Sequence, residues 1–305
     1  MKSIKAIIVS VIMIGQFLLP TFSFSTAPPS QSKVRPDEKK ILSHLFSVAV
    51  AREPVHLILV EKDKQRLRVL EYDKNLKVLA DYPIATGENP GNKKVSGDSR
   101  TPEGIYFITR IYKDRQITVF GDKAFHLDYP NFFDRQEGKN GDGIFIHGTN
   151  RELQPDSTNG CVILDKKNLD ELVKFIQKGI TPVVIVPSLN TTITETDAGQ
   201  LTKDNYMLAK SLMFARDIKS QDVEFNYLYL ISSGGQTVAL SDFTYHPFNR
   251  SAMQGTGKTY FEYLPAHGWS AVKREWQTTP LQIYPESPGK IWRLPMSEKN
   301  ITLPY

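Results

Sequence analysis

The sequence predicts a mainly β protein with some α-helix: a β-sandwich or barrel domain followed by a smaller α+β domain. Between residues 55 and 187, short stretches rich in Val, Leu and Ile alternate with turn residues, which is typical of strands. One late stretch, residues 166–179, instead repeats its apolar residues at helical spacing. No period of about 20–50 residues is visible, which excludes a repeat architecture. Many short strands with one late helix favour a β-rich sandwich or barrel.

The N-terminal end has the composition of an export signal. Two lysines precede a nearly continuous apolar run over residues 6–19, and Ser23 and Ser25 occupy the small-residue positions of a cleavage site. We predict a secretory signal peptide over residues 1–25. The apolar run is shorter than the ~20 residues of a spanning helix, so cleavage is favoured and a retained anchor is the alternative. The mature chain is then expected in the periplasm or cell envelope, without stable membrane insertion.

Residues 26–53 are predicted to lead into the first domain. A polar, Pro-rich linker covers residues 26–35, and one helix is predicted over residues 36–52. In the late helix of the domain, an apolar stripe runs over residues 169–176 and Gly179 is a natural stop. The predicted strands lie at residues 55–62, 66–72, 76–87, 104–112, 143–148, 160–164 and 182–187.

A linker-like stretch from residue 190 precedes the accessory α+β domain, predicted at residues 200–305. A helix is predicted at residues 203–220, and Gly234-Gly235 is a hairpin turn signal. Eight aromatic residues of this region could line a glycan- or peptide-binding face or belong to the sheet core. The strands of the domain are predicted at residues 223–232, 236–246, 257–265 and 268–277.

The composition excludes several partner classes. The formal net charge of +5 falls to 36 − 33 = +3 when the two lysines of residues 1–25 are removed. The sequence has no basic helix or lysine-rich tail, so a nucleic-acid partner is not expected. A zinc site needs about three or four ligands with close-spaced pairs, whereas the chain has one Cys and scattered His residues. We predict no metal and no cofactor.

The single cysteine, Cys161, stands fourteen residues after His147. An unpaired thiol in an exported protein is either a reactive group or a small buried hydrophobe. A strand–loop–strand return can bring the imidazole close enough to lower the pKa of the thiol and to carry its proton. Residues 152–160 have turn chemistry, and backbone N–H groups of such a turn could hold an oxyanion. Gly160 would let a substrate backbone come close.

This stretch resembles the catalytic motif of the L,D-transpeptidase (YkuD-type) family of cell-wall enzymes. The family pattern is His-Gly, a gap, and Ser/Thr-x-Gly-Cys before an apolar residue. The segments at residues 98–110, 126–148 and 181–187 also resemble the family, so the match runs in order over residues 54–188. The Tyr-Pro-Asn segment is typical of one subgroup. Here the motif reads His147-Gly148 and then Ser157-Thr158-Asn159-Gly160-Cys161-Val162.

The resemblance implies a β-sandwich-like catalytic domain over residues 54–188, with Cys161 as nucleophile and His147 as base. It also implies that the Gly148 carbonyl orients the imidazole and that Ser157 or Thr158 steadies the loop. Residues 257–276 resemble the last hairpin of an NTF2-like domain, so the accessory domain is expected to be NTF2-like. Oxyanion N–H groups are expected from Asn159, Gly160 and Cys161. Substrate contacts are considered for His126, Tyr129, Asn131 and Thr158, with a purely structural role as the favoured alternative for His126, Tyr129 and Asn131.

Two positions depart from many family members: Asn159 replaces a His, and Ile163 replaces an Arg that helps to bind substrate. Arg110, Arg135 or Arg151 could supply that charge from neighbouring segments. The predicted function is acyl transfer on peptidoglycan stem peptides through a cysteine thioester, in cell-wall remodelling and cell shape. The alternatives are an L,D-carboxypeptidase or endopeptidase with the same residues, and a non-catalytic peptidoglycan-binding module.

Overall fold

The structure, a computed structural model, describes seven segments of the chain: residues 46–113, 123–189, 199–200, 223–233, 236–246, 252–264 and 268–280. In these segments, no helix has both the length and the apolar character needed to cross a membrane. Several predicted features lie outside them, namely the signal peptide, the linker at residues 26–35, residues 36–45, the helix at residues 203–220 and the Gly234-Gly235 turn.

The described residues form strands and two short α-helices, so the protein is mainly β, as predicted. The first elements are β1 (Phe46–Ala51), β2 (Val55–Glu61), β3 (Arg66–Asp73), β4 (Asn75–Pro83), β5 (Gly104–Lys113), β6 (Lys123–Leu127), α1 (Phe132–Gln136), β7 (Phe145–Thr149), β8 (Val162–Asp165), α2 (Lys166–Leu172) and β9 (Pro182–Val186). They are followed by β10 (Gly199–Gln200), β11 (Val223–Ser233), β12 (Gln236–Tyr245), β13 (Met253–Leu264) and β14 (Gly268–Pro280).

The strands are arranged in two sheets. The first has the order β4-β3-β2-β9-β5-β6-β7-β8, and the second has the order β10-β1-β11-β12-β13-β14. In the first sheet, β2 pairs with β9 and β7 with β8 in parallel, and the other neighbours are antiparallel. Parallel strands require a connection that crosses back over the sheet. For β7 and β8, that connection is the loop over residues 150–161, which separates His147 of β7 from β8 and ends at Cys161.

Residues 46–51 form a strand, so the predicted helix over residues 36–52 is wrong in this part. Strand β1 pairs antiparallel with β11. Phe46 and Val48 are both buried, which is the period-two pattern of a strand. The local residues suit either conformation, and the pairing with β11 decides between them. The second sheet thus includes a strand from ahead of the first sheet, which the predicted domain boundaries do not anticipate.

The predicted helix over residues 166–179 is shorter in the structure. Helix α2 ends at Leu172, and a single 3-10 turn follows over Val173–Phe175. The Thr181 hydroxyl donates to the last carbonyl of that turn at 3.1 Å and accepts from Gln177 N–H at 2.9 Å. A side chain that binds these backbone groups competes with the helical ladder, so the helix stops early.

An apolar cluster connects the two sheets. It includes Leu57 and Phe107 from the first sheet and Tyr229 and Tyr260 from the second. Phe133 of α1 lies edge-on to Tyr260, with ring centroids 5.7 Å apart. At roughly 25 cal/mol per Å² of buried apolar surface, such a cluster contributes strongly to holding the sheets together. Most of the aromatic residues noted in the second domain belong to the sheet core: Tyr229, Phe243, Tyr260, Phe261 and Trp276 are buried.

Asp128 lies at the boundary between the sheets. Its carboxylate accepts Phe107 N–H at 2.8 Å and faces Lys258 and Glu275 of the second sheet. Burial raises the pKa of Asp128 to about 6, against the opposing effects of Lys258 and the Phe107 N–H group. The unfolded value is about 3.9, so the folded state binds more protons in the window between the two values. The free energy of unfolding should therefore fall as pH rises through that window.

We expect Asp128→Asn to flatten the pH dependence of stability between about pH 4 and pH 6. The amide oxygen can still accept the Phe107 N–H group, whereas the titrating carboxyl group is gone. Urea unfolding at several pH values measures this, and Asp63→Asn, at an exposed position, is the control that should keep the wild-type slope. A wild-type slope in Asp128→Asn would show that another group causes the dependence.

Candidate active site

His147 and Cys161 come together because β7 and β8 are parallel neighbours. His147 pairs with Ile163, and Cys161 directly precedes β8. Side chains alternate along a strand, so Cys161, two residues before Ile163, projects to the same face of the sheet as His147. Ile146 directly precedes His147, and Val162 directly follows Cys161. Both are fully buried in the core on the opposite face. The crossing loop therefore returns the thiol to the side of the sheet that carries the imidazole.

Cys161 is partly exposed on this face. Its thiol donates to Gly143 O at 3.5 Å, Phe145 N–H hydrogen-bonds to the sulfur, and the Lys93 charge acts on it. Burial raises the pKa of the Cys161 thiol, and the N–H group and Lys93 offset this only in part. The predicted lowering of the thiol pKa is therefore wrong for the resting protein, because desolvation favours the neutral form.

His147 is buried, with 8% of its surface exposed. Its Nδ1 atom lies 2.8 Å from Gly148 O. Because a carbonyl can only accept, Nδ1 carries the proton and Nε2 carries the lone pair. Burial lowers the pKa of His147, while the bond to Gly148 O acts in the opposite direction. Thiol and imidazole thus rest as a neutral pair in which Nε2 is the basic atom.

Thr158 holds the turn that precedes the cysteine. Its hydroxyl donates to Cys161 O at 2.7 Å and accepts from Gly160 N–H at 3.0 Å. Gly160 N–H is thus bonded within the turn, and its predicted oxyanion role stays a prediction. The Thr158 hydroxyl is bonded within the turn as well, and its predicted substrate contact stays a prediction. The other predicted oxyanion donors are the N–H groups of Asn159 and Cys161.

Ser157 fastens the same loop at its other side. Its hydroxyl donates to Gln154 O at 2.6 Å. The N–H groups of Ser157 and Thr158 both donate to Thr86 O at 3.0 Å. Ser157 therefore acts on the loop conformation, through contacts within the loop and with the segment that follows β4.

Gly160 is required by a close backbone contact. Its φ angle is +123°, and a Cβ atom there would lie 2.6 Å from Arg100 O. The Thr101 hydroxyl donates to Gly160 O at 3.0 Å and accepts from Gly87 N–H at 2.9 Å. In the structure the segment around Thr101 approaches the glycine, and the approach of a substrate backbone stays a prediction. Thr101 is a positioning residue that the sequence analysis does not single out.

We expect Gly160→Ala to lower the free energy of unfolding by about 2–5 kcal/mol, because backbone strain and overpacking add. Turnover should fall with it, since the thiol is displaced. The matched control is Gly179→Ala: φ is +75° there, but nothing lies within 4 Å of the added Cβ, so only strain should count. Urea unfolding measures both. Equal losses in the two variants would mean that the Arg100 contact is unimportant.

Among the four predicted substrate contacts, His126 lies on the face of the candidate pair. It is the cross-strand partner of Phe145, with ring centroids 4.9 Å apart. The Thr109 hydroxyl lies 3.0 Å from its Nδ1 atom. Burial, and secondarily the charge of Arg110, lower the pKa of His126. A neutral, oriented ring therefore lies next to the residue that contacts the thiol.

Tyr129 and Asn131 serve the fold. Tyr129 is buried in the core, and its hydroxyl donates to Asn140 O at 3.1 Å. Asn131 caps α1 by accepting Asp134 N–H, and its amide donates to Ile105 O at 2.9 Å. The polar atoms of both residues bind within the fold, which favours a structural role, and their predicted substrate contacts stay predictions. The Asn-x-x-Asp spacing of a capping box was the signal that could have shown this for Asn131.

Lys93 is the charged residue near the thiol that the sequence analysis misses. Its side chain is 3% exposed and pairs with Asp98 at 2.6 Å. The Asp98 carboxylate also accepts the N–H groups of Lys94, Val95 and Arg100. Lys93 is far from Cys161 in sequence and belongs to no motif noted there, so only the folded loop between β4 and β5 reveals the proximity.

Residues 55–185 match the family model of the YkuD L,D-transpeptidase catalytic domain. This segment is a YkuD-family domain. The match falls within the predicted boundaries of residues 54–188 and contains both His147 and Cys161.

Known proteins resemble the chain at low sequence identity. YafK of Escherichia coli (strain K12), provisionally named an L,D-transpeptidase, is 24% identical over 166 residues, which cover 54% of this chain and 62% of YafK, less than two thirds of that relative. The structure of Bd1075 from Bdellovibrio bacteriovorus has a TM-score of 0.59 and 21% identity, and covers 79% of this chain and 99% of its own. Pgp2, the helical cell shape determining protein from Campylobacter jejuni, has a TM-score of 0.54 and 20% identity, with coverages of 78% and 98%. These two structures show that the fold extends beyond the YkuD domain.

Proposed function

We propose that the YkuD domain is a cysteine acyltransferase that acts on peptidoglycan stem peptides. The observation that carries the proposal is the placement of Cys161 and His147 on one face of the sheet, with Nδ1 of the imidazole bonded to Gly148 O. This leaves Nε2 as the base for a thiol nucleophile. The family match and the likeness to a cell shape determining protein support a cell-wall substrate. The predicted signal peptide agrees with a substrate in the periplasm or envelope.

The first half of the reaction forms a thioester. Nε2 of His147 takes the thiol proton as the sulfur of Cys161 attacks an amide carbonyl, and the carbonyl oxygen becomes an oxyanion next to the N–H groups of Asn159 and Cys161. Collapse of this intermediate breaks the carbon–nitrogen bond. His147 then gives the proton to the leaving amine. The neutral resting pair suits this route, because the proton moves during the attack and not before it.

The second half consumes the thioester. An amine or a water molecule attacks the thioester carbonyl and loses a proton to His147, and the Cys161 sulfur leaves and recovers a proton from the imidazole. An amine acceptor gives a new peptide bond, which is transpeptidation. Water gives a free carboxylate, which is hydrolysis by the same residues.

One observation favours hydrolysis as the second candidate function. Ile163 lies beside His147 on the site face, and an apolar side chain at this position offers no charge to hold an acceptor carboxylate. An L,D-carboxypeptidase or endopeptidase would need only water. The presence of both His147 and Cys161 on one face argues against a non-catalytic binding module.

The deciding experiment supplies the mature protein with a tetrapeptide stem as donor and an increasing excess of a diaminopimelate-containing acceptor or a free D-amino acid. Products are identified by mass. A transferase yields cross-linked or exchanged product that rises with acceptor concentration. Tripeptide and released D-Ala alone, at every acceptor concentration, would replace the transferase proposal with the hydrolase. A complete lack of turnover with an ordinary thiol at Cys161 would leave the binding module.

A further inference from the structure

One arginine shares a cross-strand row with the candidate nucleophile. Arg110 of β5 pairs with His126 of β6, and His126 pairs with Phe145 of β7. Phe145 lies opposite Cys161, because the register pairs the residues that follow each of them. The row therefore runs across four neighbouring strands, from the thiol at one end to the guanidinium group at the other.

The row lies on the site face of the sheet along its whole length. The next pair along these strands, Ile111 with Phe125, packs into the core on the opposite face. Strand β5 has an irregularity between Ile108 and Arg110, and the extra residue, Thr109, hydrogen-bonds to the His126 ring. Such bulges occur next to active sites, where they re-aim a side chain. Arg110 thus projects to the open side and is exposed.

The surroundings of Arg110 leave its charge available. Within the part of the chain that the structure describes, Arg110 has no ion-pair partner. Asp142 is the acidic group that acts on the neighbouring His126, and Arg110 is the basic one. Between the guanidinium and the thiol lie the rings of His126 and Phe145, and Tyr112 lies edge-on to Phe145 at 6.0 Å. A cation at the end of an aromatic floor suits a ligand with an apolar body and an anionic group.

We propose that Arg110 binds a carboxylate of the peptide substrate about two residues away from the carbonyl that Cys161 attacks. Strands lie about 4.8 Å apart, so three spacings separate the two Cα atoms by about 14 Å. The arginine side chain covers roughly 6 Å of this, and an extended peptide advances about 3.4 Å per residue over the rest. Guanidinium and carboxylate groups can pair through two parallel hydrogen bonds. Arg110 is then a specificity-determining residue, an inference that rests on the proposed function.

The other two arginines considered from the sequence are placed differently. The Arg135 guanidinium donates to Pro130 O, and its charge acts on Tyr260 of the second sheet. Arg151 lies on the exposed loop after β7, where its N–H group donates to the Thr149 hydroxyl. Neither belongs to the row. Of the three arginines, Arg110 is therefore the one that the strand register aligns with Cys161.

Binding to the Cys161→Ala protein tests the proposal without turnover. The ligands are a stem tetrapeptide with free carboxyl groups and the same peptide with those groups amidated, and calorimetry gives both affinities. We expect the acid to bind roughly 10-fold or more tightly than the amide. Adding Arg110→Gln should reduce this preference to about 2-fold, Arg110→Lys should restore part of it, and the matched control Arg151→Gln should leave it intact. Circular dichroism checks that each variant is folded.

A preference that survives Arg110→Gln, or that disappears in Arg151→Gln, overturns the proposal. Equal binding of the two peptides by the Cys161→Ala protein, or no binding of either, overturns it as well. Turnover by the protein with Cys161 separates this result from the proposed function. Equal turnover of the acid and the amide would leave the acyltransferase standing without the Arg110 contact. An Arg110-dependent preference without any turnover would support the Arg110 contact and contradict the acyltransferase proposal.

Discussion

Cys161→Ala is expected to abolish turnover and to leave the fold intact. Cys161 is the single cysteine of the chain, and a thioester requires a cysteine sulfur. Loss of a covalent nucleophile reduces turnover by roughly 10⁶-fold in comparable hydrolases. Cys161 is not part of the apolar core clusters, and its contact with Gly143 O is long at 3.5 Å. The free energy of unfolding should therefore change by less than about 1 kcal/mol.

Product formation from a tetrapeptide stem, followed by mass, measures the loss of turnover, and urea unfolding measures the stability of the variant. Cys161→Ser is the matched control, because it keeps the shape of the side chain and replaces the thiol with a much weaker nucleophile. It should be about as inactive as the alanine variant. Wild-type product formation by Cys161→Ala would refute the thioester mechanism and, with it, the catalytic role of this turn.

His147→Gln is expected to slow acylation by about 10²–10⁴-fold, the usual contribution of a positioned base. Burial lowers the pKa of His147, so in the wild-type protein kcat/KM should fall only when pH drops below the ordinary histidine value of about 6.5. Below that pH the imidazole becomes protonated and can no longer accept the thiol proton. In the variant this acid limb should disappear, and the residual rate should follow the ionisation of the thiol alone.

The pH profile of kcat/KM and the pH dependence of iodoacetamide labelling at Cys161 together measure this change. We expect labelling of Cys161 in His147→Gln to slow at pH values where the thiol is neutral, because the variant cannot accept the thiol proton as the sulfur attacks. His126→Gln, the same substitution on the same face, is the control and should retain the acid limb. An unchanged labelling titration in His147→Gln would mean that the imidazole does not contact the thiol.

Local pattern was enough to predict most of the first sheet. Strands β2, β3 and β5 have apolar residues bounded by turn residues and lie where this pattern predicts them, whereas β6 (Lys123–Leu127) is not among the predicted strands. The pattern fails where bonding partners from elsewhere in the chain intervene. Strand β1 was predicted to be helical, and Thr181 shortens helix α2 through its hydroxyl. For β1 the outcome depends on β11, which is distant in sequence and lies outside any short window. For α2 it depends on the hydroxyl of a nearby residue, which apolar spacing does not register.

The sequence by itself determined the mainly β class, the resemblance to the YkuD family and the choice of His147 and Cys161 as candidates. These follow from short motifs and from side-chain alternation, which are local properties of the chain. Only the tertiary structure decided that β1 completes the second sheet, that Gly160 N–H is occupied and that Tyr129 supports the core. The raised pKa of the thiol and the choice of Arg110 were also decided there. Burial and strand register depend on contacts between residues far apart in sequence, and those contacts exist only once the chain has folded.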